Sequence, residues 1–229
     1  MRALSTTELL SVWERGTGQP PVQQALTLLA AACPDIASAT LANLTIGQRD
    51  ALLLTLREIT FGTNFIGLAD CPACDEKVEL AFKTGDIRPG NETEFPAEFN
   101  FQMAGHALRF RLPSSSDLLA VNNREQLLAR CLINGRSDLP EPVIAAVVEK
   151  MSRADPLADI RLGLSCPSCG HKWEAPFDIV AFFWSELNAV ARGLVREVHT
   201  LASVYGWTES EILTLTSARR RCYLEMVNA

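Results

Sequence analysis

The chain has 229 residues, of which 48% are hydrophobic and 21% are charged. This composition excludes a disordered tail and a fibrous repeat, and no apolar run approaches the roughly 20 residues of a transmembrane helix. A net charge of −6, from 27 acidic and 21 basic residues, argues against general nucleic-acid binding through phosphate contacts. The first residues lack the apolar block of a secretion signal. We therefore expect a cytoplasmic protein whose seven cysteines serve metal or thiol chemistry.

Helical patterns come first along the chain. A short helix over Leu9–Trp13 is followed, after a Gly- and Pro-rich break, by a helix over Val22–Ala32. Thr45 and Gln48 form the pattern of a capping box, which predicts the start of a further helix. This helix should end at Phe61–Gly62.

Short extended segments then alternate with helices. Val78–Phe82 has the alternation of a half-buried strand, and a hairpin is predicted from Phe99 to Leu112 with its turn at residues 104–106. One helix should run from Ser115 or Ser116 to about Ile133 and another over Pro142–Met151, before an extended segment over Asp159–Ser165.

The longest predicted helix begins at Asp178 and ends at Gly206. An apolar stripe should follow one face for about 40 Å; its members are Ile179, Phe183, Leu187, Val190, Leu194, Val198, Leu201 and Tyr205. Three further apolar residues of this helix lie outside the stripe: Phe182, Trp184 and Val195. We expect some of them to remain exposed. Thr208 to Glu211 is a second capping box for a final helical segment. We expect this end to pack against the N-terminal helices.

A duplicated cysteine motif is the most specific feature of the chain. Cys71 and Cys74 lie in one C-P-x-C turn and Cys166 and Cys169 in a second, and lysine, glutamate and phenylalanine recur at the same offsets after both. Each motif lies between two extended segments, as in a zinc knuckle. Two knuckles complete a tetrahedron with Zn–S bonds of about 2.3 Å. The four cysteines are therefore predicted to hold one structural Zn²⁺ ion in a split zinc ribbon.

Two other interpretations of the cysteines stay open. A redox dithiol can have the C-P-x-C sequence, but there the motif begins a helix that lowers the thiol pKa, whereas strands follow both copies here. A catalytic zinc site of the base-deaminase type needs an H-x-E partner, which is absent from the chain. Four thiolates would also leave no position for water. His171 could replace one cysteine as a ligand.

The remaining histidines and cysteines have structural interpretations. His106 is expected to be a solvated turn residue, and His199 a core or interface residue. Apolar surroundings favour buried free thiols for Cys33, Cys131 and Cys222. No phosphate-binding loop, dinucleotide turn, nucleophilic serine elbow or H-E-x-x-H helix is present. We therefore expect no enzymatic activity.

These patterns predict a mainly helical α+β protein, with helical N- and C-terminal parts around a small β region that carries the split zinc-ribbon site. The N-terminal helical part is 1–64. The zinc-knuckle and hairpin region with two inserted helices is 65–177. The long helix and a helical hairpin occupy 178–229, and all three parts should form one compact unit.

Aromatic and arginine side chains accumulate near the C-terminus. Tyr205 and Trp207 flank the glycine of the predicted bend, and Arg219, Arg220 and Arg221 follow. Three consecutive arginines cover about 200° of a helix, so at least one should meet a carboxylate or a partner. A solvated charge run with one internal ion pair and a helix-turn-helix are the alternatives. Because aromatic and arginine residues dominate binding hot spots, we expect these five residues to contact a partner.

The sequence resembles the baseplate hub assembly chaperones of T-even-like phages and related proteins of bacterial contractile injection systems. The resemblance covers most of the chain beyond the first forty or so residues. The resemblance is carried by Leu52–Cys74 with Arg57–Gly62, Arg111–Pro113 with Asp117–Leu118, Asp155–Pro156 with Cys166–Cys169, and Glu197–His199 through Tyr205–Trp207 to Arg219–Arg220 and Tyr223–Leu224.

The resemblance implies a non-enzymatic assembly chaperone or structural component of a contractile-tail baseplate, in the bacterial cytoplasm or within the assembled particle. Its expected partners are baseplate hub, spike or tube proteins, with no nucleic acid and no membrane. A zinc-ribbon nucleic-acid-binding or transcription accessory protein is the alternative, and a thiol oxidoreductase is a third. Acidic residues near the knuckles, at Asp75, Glu76, Glu79 and Glu174, disfavour nucleic acid.

Overall fold

The computed structural model describes residues 1–88, 96–103, 105–134 and 139–227. The helices in the described ranges are α1 (Thr6–Gly16), α2 (Pro21–Ala32), α3 (Ser38–Asn43), α4 (Ile46–Phe61), α5 (Thr84–Ile87), α6 (Ser115–Leu119), α7 (Arg124–Cys131), α8 (Glu141–Ala154), α9 (Ile179–Tyr205), α10 (Glu209–Thr214) and α11 (Ser217–Val227). The strands are β1 (Asn64–Asp70), β2 (Lys77–Lys83), β3 (Phe99–Met103), β4 (His106–Phe110), β5 (Ile160–Ser165) and β6 (Lys172–Phe177).

Local capping sets the start of several helices. The predicted capping boxes at Thr45 and Thr208 are confirmed, and Asp178 caps α9 by accepting the N–H groups of its first turn. A capping box at Ser5 begins α1, so the prediction that this helix spans only Leu9–Trp13 was too short. Gly206 ends α9 in the left-handed conformation, which glycine adopts without a Cβ clash.

The strands of the described residues form three two-stranded antiparallel hairpins, β1–β2, β3–β4 and β5–β6. The first and third carry the cysteine motifs at their turns. The second, predicted from the alternation around Phe99, starts its return strand at His106. The prediction of His106 as a solvated turn residue was therefore wrong, since its Nδ1 atom is buried without a hydrogen-bond partner among the described residues.

The single helix predicted from Ser115 or Ser116 to Ile133 is two helices. Ser114 caps α6 and Asn123 caps α7, because both side chains offer their own backbone an alternative to a continuous helix. The other predicted helix begins at Glu141 and ends at Ala154. Of the predicted hairpin turn at 104–106, residue 104 lies outside the described residues.

The main hydrophobic core joins α1 to α4 with β1, β5 and α9. It buries Leu28, Leu53, Phe65, Phe183 and Leu187 completely. A smaller cluster links Leu10 of α1 to α9 and to α10, which confirms that the N- and C-terminal helices pack together. A further cluster lies between β4 and α8. The core therefore depends on residues that are distant in the sequence.

The apolar face of α9 differs from the predicted stripe at some positions. Ala191 is buried, whereas Val190 is 36% exposed. Phe182 and Trp184 pack against the main core instead of staying free for a partner, while Val195 is exposed as expected. Cys222, predicted to be a buried thiol, is exposed on α11.

The mainly helical α+β class predicted from the sequence is confirmed. Within the described ranges, no helix is long and apolar enough to cross a membrane. The division into parts 1–64, 65–177 and 178–229 stays a prediction.

Candidate metal centre

The two cysteine motifs fold into the same turn. In the first, the N–H of Cys71 donates to the carbonyl of Glu76 at 2.9 Å, and the N–H of Asp75 donates back to the carbonyl of Cys71 at 2.9 Å. The second repeats both bonds, from Cys166 to the carbonyl of His171 and from Gly170 to the carbonyl of Cys166, again at 2.9 Å. The duplication in sequence is thus a duplication of structure.

A residue in the left-handed backbone conformation closes each turn. Asp75 has a φ of 57° and Gly170, its counterpart in the second motif, has a φ of 73°. This conformation is costly for a residue with a Cβ atom, although aspartate tolerates it better than most. It reverses the chain directly after the second cysteine, which brings both sulfurs of each motif to the same side of the turn.

The four sulfur atoms converge at one point. The Sγ atoms of Cys71 and Cys169 are 3.7 Å apart, and so are those of Cys74 and Cys166. Cys74 and Cys169 are separated by 3.5 Å, and the four atoms all lie within 4.8 Å of one another. A regular tetrahedron with Zn–S bonds of about 2.3 Å has S···S edges of about 3.8 Å. The donors therefore fit a tetrahedral metal ion, and the cluster could bind one.

Backbone N–H groups already face the sulfurs. The N–H of Cys169 donates to Cys166 and lowers the pKa of that thiol to about 7, despite its desolvation. At Cys74 the N–H of Glu76 lowers the pKa, but hydrogen bonding among the neighbouring thiols and desolvation outweigh it and raise the pKa to about 12. A bound Zn²⁺ ion would hold all four groups as thiolates. The amides would then stabilise the negative charge of the ligands.

The cluster has a buried side and an exposed side. Cys71 and Cys166 are buried against Val78, Leu80 and Trp173, while Cys74 and Cys169 face solvent. His171 is exposed and lies beside Trp173, with the ring centroids 6.0 Å apart. Among the described residues, the four cysteines alone form the candidate ligand group, so the structure does not favour His171 as a ligand.

The opposite ends of the two hairpins meet in a cluster of aromatic rings. Phe65 of β1 stacks on Phe82 of β2 at 4.9 Å, and both rings contact Phe177 of β6 edge-on. Phe182 of α9 adds a fourth ring, 5.1 Å from Phe65. The hairpins are thus joined at one end by aromatic packing and at the other by the cysteines.

Arg57 connects this aromatic cluster to the helices. Its guanidinium lies 4.0 Å from the centroid of the Phe65 ring and donates to both carboxylate oxygens of Glu186 on α9, at 2.9 and 2.6 Å. A third bond, of 2.6 Å, reaches the carbonyl of Gly62 at the end of α4. The buried positive charge of Arg57 is therefore paired, and its hydrogen bonds position β1 against α4 and α9.

The predicted partner-binding residues do not share one environment. Tyr205 stacks on Trp207 at 4.6 Å, and Tyr223 lies edge-on to both rings. The Arg219 guanidinium is 5.9 Å from the centroid of Tyr223, and Arg221 is exposed. These three aromatic residues with Arg219 and Arg221 are called the C-terminal aromatic patch below.

Arg220, by contrast, is only 3% exposed. It donates to the Glu197 carboxylate at 2.8 Å and to the carbonyl of Leu215 at 2.6 Å. Its assignment to the partner surface is therefore corrected: Arg220 holds α11 against α9 inside the chain. The expectation that at least one arginine of the run meets a carboxylate is confirmed. Spacing between Glu197 and Arg220 in the sequence could not have revealed this pair.

Comparisons with known proteins place the chain in a family. No curated protein and no solved structure matches it. Residues 6–134 match the family model described as T4 bacteriophage base plate protein. This range includes the first cysteine motif and ends before the second. Because the match spans more than half of the chain, the protein belongs to the T4 bacteriophage base plate protein family.

Proposed function

We propose that this protein is a non-enzymatic assembly chaperone or structural component of the baseplate of a contractile phage tail or injection system. It works in the bacterial cytoplasm, by binding other baseplate proteins, and stays free of nucleic acid. The observation that carries the proposal is the family match over residues 6–134. The convergence of four thiols at a metal-binding geometry supports a rigid, metal-stabilised binding protein.

The metal in this proposal is a structural Zn²⁺ ion held by Cys71, Cys74, Cys166 and Cys169. An all-sulfur tetrahedral donor set is typical of closed structural zinc sites, which stabilise a fold and offer no position for a substrate. The ion would join two segments that lie on either side of β3, β4 and α6 to α8. Its role would be to hold the duplicated hairpins in one orientation while a partner binds elsewhere.

The C-terminal aromatic patch is the proposed contact with a baseplate hub, spike or tube protein. Stacked aromatic rings next to arginine side chains combine the residue types that contribute most to binding hot spots. The patch lies at the junction of α9 and α11. Arg220 stabilises that junction from inside, so the patch is presented on a rigid base.

The experiment is complementation of a strain or phage from which the gene is deleted, with assembled tails counted by electron microscopy. Wild-type protein should restore tails, whereas Trp207→Ala and Arg219→Glu should not. Arg153→Glu, at an exposed arginine on α8, is the charge-matched control and should complement. Zinc content should be close to wild type in all variants, and so should the melting temperature of Arg219→Glu and Arg153→Glu. Trp207→Ala should melt somewhat lower, because it loses the ring contacts with Tyr205 and Tyr223.

Two results would contradict different parts of the proposal. Normal tail assembly in the deletion itself would remove the baseplate function. If the deletion prevents tail assembly but Trp207→Ala and Arg219→Glu both restore it fully, the baseplate function would stand. The partner surface would then lie elsewhere on the protein.

A further inference from the structure

An open groove separates the two cysteine-bearing hairpins. It has a volume of about 660 Å³ and is lined along its length by β2 on one side and β5 on the other. The two strands are not hydrogen-bonded to each other, since each pairs only with its own hairpin partner. The side chains that line the groove are mainly apolar; they include Val78, Leu80, Phe82, Ile160, Leu162 and Leu164.

Backbone groups point into this groove from the edge of β2. The N–H of Cys71 donates to Glu76 and the N–H of Thr84 donates to Thr63. Because bonded pairs alternate along an antiparallel ladder, the register of β1 and β2 turns the backbone N–H and C=O of Glu79 and Ala81 away from β1. None of these outward groups makes a hydrogen bond among the described residues.

The edge of β5 that faces the groove also has backbone groups without hydrogen-bond partners among the described residues. The bond from Cys166 to His171 and the register of β5 and β6 turn the backbone groups of Arg161 and Gly163 away from β6. Two unpaired strand edges therefore border one apolar groove. An extended peptide recognises such edges by adding a strand, with main-chain bonds for affinity and alternate side chains for specificity.

The outer edge of β6, the counterpart of β2 in the second hairpin, is blocked to an incoming strand. Pro176 of β6 occupies the position that corresponds to Ala81 of β2 in the duplicated motif. In the β5–β6 register it faces outward, and proline has no N–H to offer an incoming strand. The first turn of α9 also lies against β1 and β6, through Phe182. The chain thus closes one edge and leaves the β2–β5 groove accessible.

The charges at the groove favour a basic occupant. Arg161 is bonded to Asp159, and Arg88 faces Glu58 at 3.5 Å. Glu79, in contrast, is exposed and has no cationic side chain within ion-pair distance among the described residues. Two carboxylates that form no ion pair among the described residues, those of Glu79 and Asp86, therefore line the groove on the side of β2.

We propose that the β2–β5 groove binds an extended segment of another polypeptide, in which apolar residues alternate with basic ones. The inserted segment would form main-chain hydrogen bonds with Glu79, Ala81, Arg161 and Gly163. Its apolar side chains would pack on Leu80 and Leu162, and a lysine or arginine would face Glu79. This surface is separate from the C-terminal aromatic patch and does not depend on the baseplate function.

The test uses the full zinc-loaded chain and a fluorescent synthetic peptide in which valine alternates with lysine. Fluorescence anisotropy should show saturable binding, and a peptide of the same composition in scrambled order should bind more weakly. Amide NMR signals of Glu79, Ala81, Arg161 and Gly163 should shift on addition of the alternating peptide. Ala81→Pro, which removes one donor as Pro176 already does in the other hairpin, should weaken binding about fivefold.

Glu79→Gln tests the charge without changing the backbone and should weaken binding in low salt. Matched controls come from the second hairpin: Pro176→Ala and Glu174→Gln, the counterparts of the two test positions, should leave the affinity unchanged. Absence of saturable binding, or equal binding by wild type, Ala81→Pro and Glu79→Gln, would overturn the proposal. Self-association of the chain that Ala81→Pro abolishes, without peptide binding, would also overturn it by assigning the groove to a second copy.

Discussion

At the scale of single residues, the two knuckles differ at the position that closes the turn. Asp75 and Gly170 have the same left-handed backbone conformation, but only glycine adopts it without a steric cost. Asp75 is exposed, so its side chain is not required for packing. The second motif, with Gly170, can therefore serve as the unstrained comparison for Asp75 in the first.

Asp75→Gly should stabilise the zinc-loaded protein by up to about 1 kcal/mol, because the left-handed conformation costs roughly 1–2 kcal/mol for most residues and glycine loses more chain entropy on folding. Gly170→Asp, the reciprocal change, should destabilise it by a similar amount. Chemical denaturation with zinc present measures both. A loss of stability in Asp75→Gly would mean that the carboxylate has a role in the turn.

A buried carboxylate at the start of α4 predicts a pH dependence. Burial raises the pKa of Asp50 to about 6, although Arg49 opposes the shift; an unfolded aspartate has a pKa of about 3.9. The folded state thus holds this proton more tightly. The stability contribution is fully present below pH 4 and is lost as the pH rises through about 6.

Asp50→Asn should therefore flatten the decrease in the free energy of unfolding between pH 4.5 and 7, by on the order of 2 kcal/mol. Denaturation curves at several pH values provide the measurement. Asp35→Asn, at an exposed aspartate, is the control and should keep the wild-type pH profile. An unchanged profile in Asp50→Asn would show that Asp50 ionises normally in the folded protein.

At the scale of elements, we expect the two cysteine hairpins to depend on a bound metal ion. The aromatic cluster joins one end of the hairpins, whereas at the other end only the small cluster around Val78, Leu80 and Trp173 packs beside the four thiols. Structural zinc contributes on the order of 10–16 kcal/mol to folding in isolated zinc-finger peptides.

We expect one zinc ion per chain in protein purified without chelator. Cys71→Ser and Cys166→Ser, one in each knuckle, should each abolish zinc binding and lower the melting temperature strongly. Cys222→Ser, at an exposed thiol outside the cluster, should change neither. Metal analysis and thermal unfolding decide the matter, and a metal-free folded protein with a Cys71–Cys74 disulfide would contradict it.

The attachment of α11 to α9 is a second element-scale prediction. Arg220→Glu should lower the free energy of unfolding by about 3 kcal/mol, because it replaces a buried, paired charge by one that repels Glu197. Arg219→Glu changes the same charge at an exposed position and should cost less than about 0.5 kcal/mol. Chemical denaturation compares the two. Equal stabilities would mean that the Arg220–Glu197 pair does not hold the helix.

At the scale of the whole molecule, Asp155 links the two halves of the chain. Its Oδ2 atom accepts the N–H of Gly47 in the first turn of α4 at 3.0 Å, across a long separation in sequence. A Cβ atom at position 47 would lie 1.8 Å from Oδ1 of Asp155. Only glycine allows this close approach.

Gly47→Ala should destabilise the protein by more than about 2 kcal/mol, because the turn after α8 must move away and leave buried polar groups unpaired. Gly193→Ala on α9, where a Cβ atom meets nothing within 4 Å, is the control and should be neutral or slightly stabilising. Thermal unfolding of both variants is sufficient. Equal melting temperatures would show that Asp155 can move without cost.

Sequence alone determined the features that depend on neighbouring residues. The ends of α4 and α9 follow from the Thr45 capping box and from Gly206, because capping involves residues within one turn of each other. The four cysteines of the candidate metal centre could be singled out from the duplicated motif, since a knuckle is a local turn. The α+β class followed from the helical periodicity and the short alternating segments.

Tertiary structure alone decided what depends on residues far apart in the chain. Arg220 is indistinguishable in sequence from Arg219, yet Glu197 on another helix draws it inside. Asp117 lies in the first turn of a helix predicted to begin at Ser115 or Ser116, but the structure buries it between Arg111 and Arg130. The guanidinium of Arg111 holds the pKa of this carboxyl below its usual range. The β2–β5 groove exists only because two hairpins of similar sequence fold side by side. Burial and pairing of this kind are set by packing across the core, which no local pattern encodes.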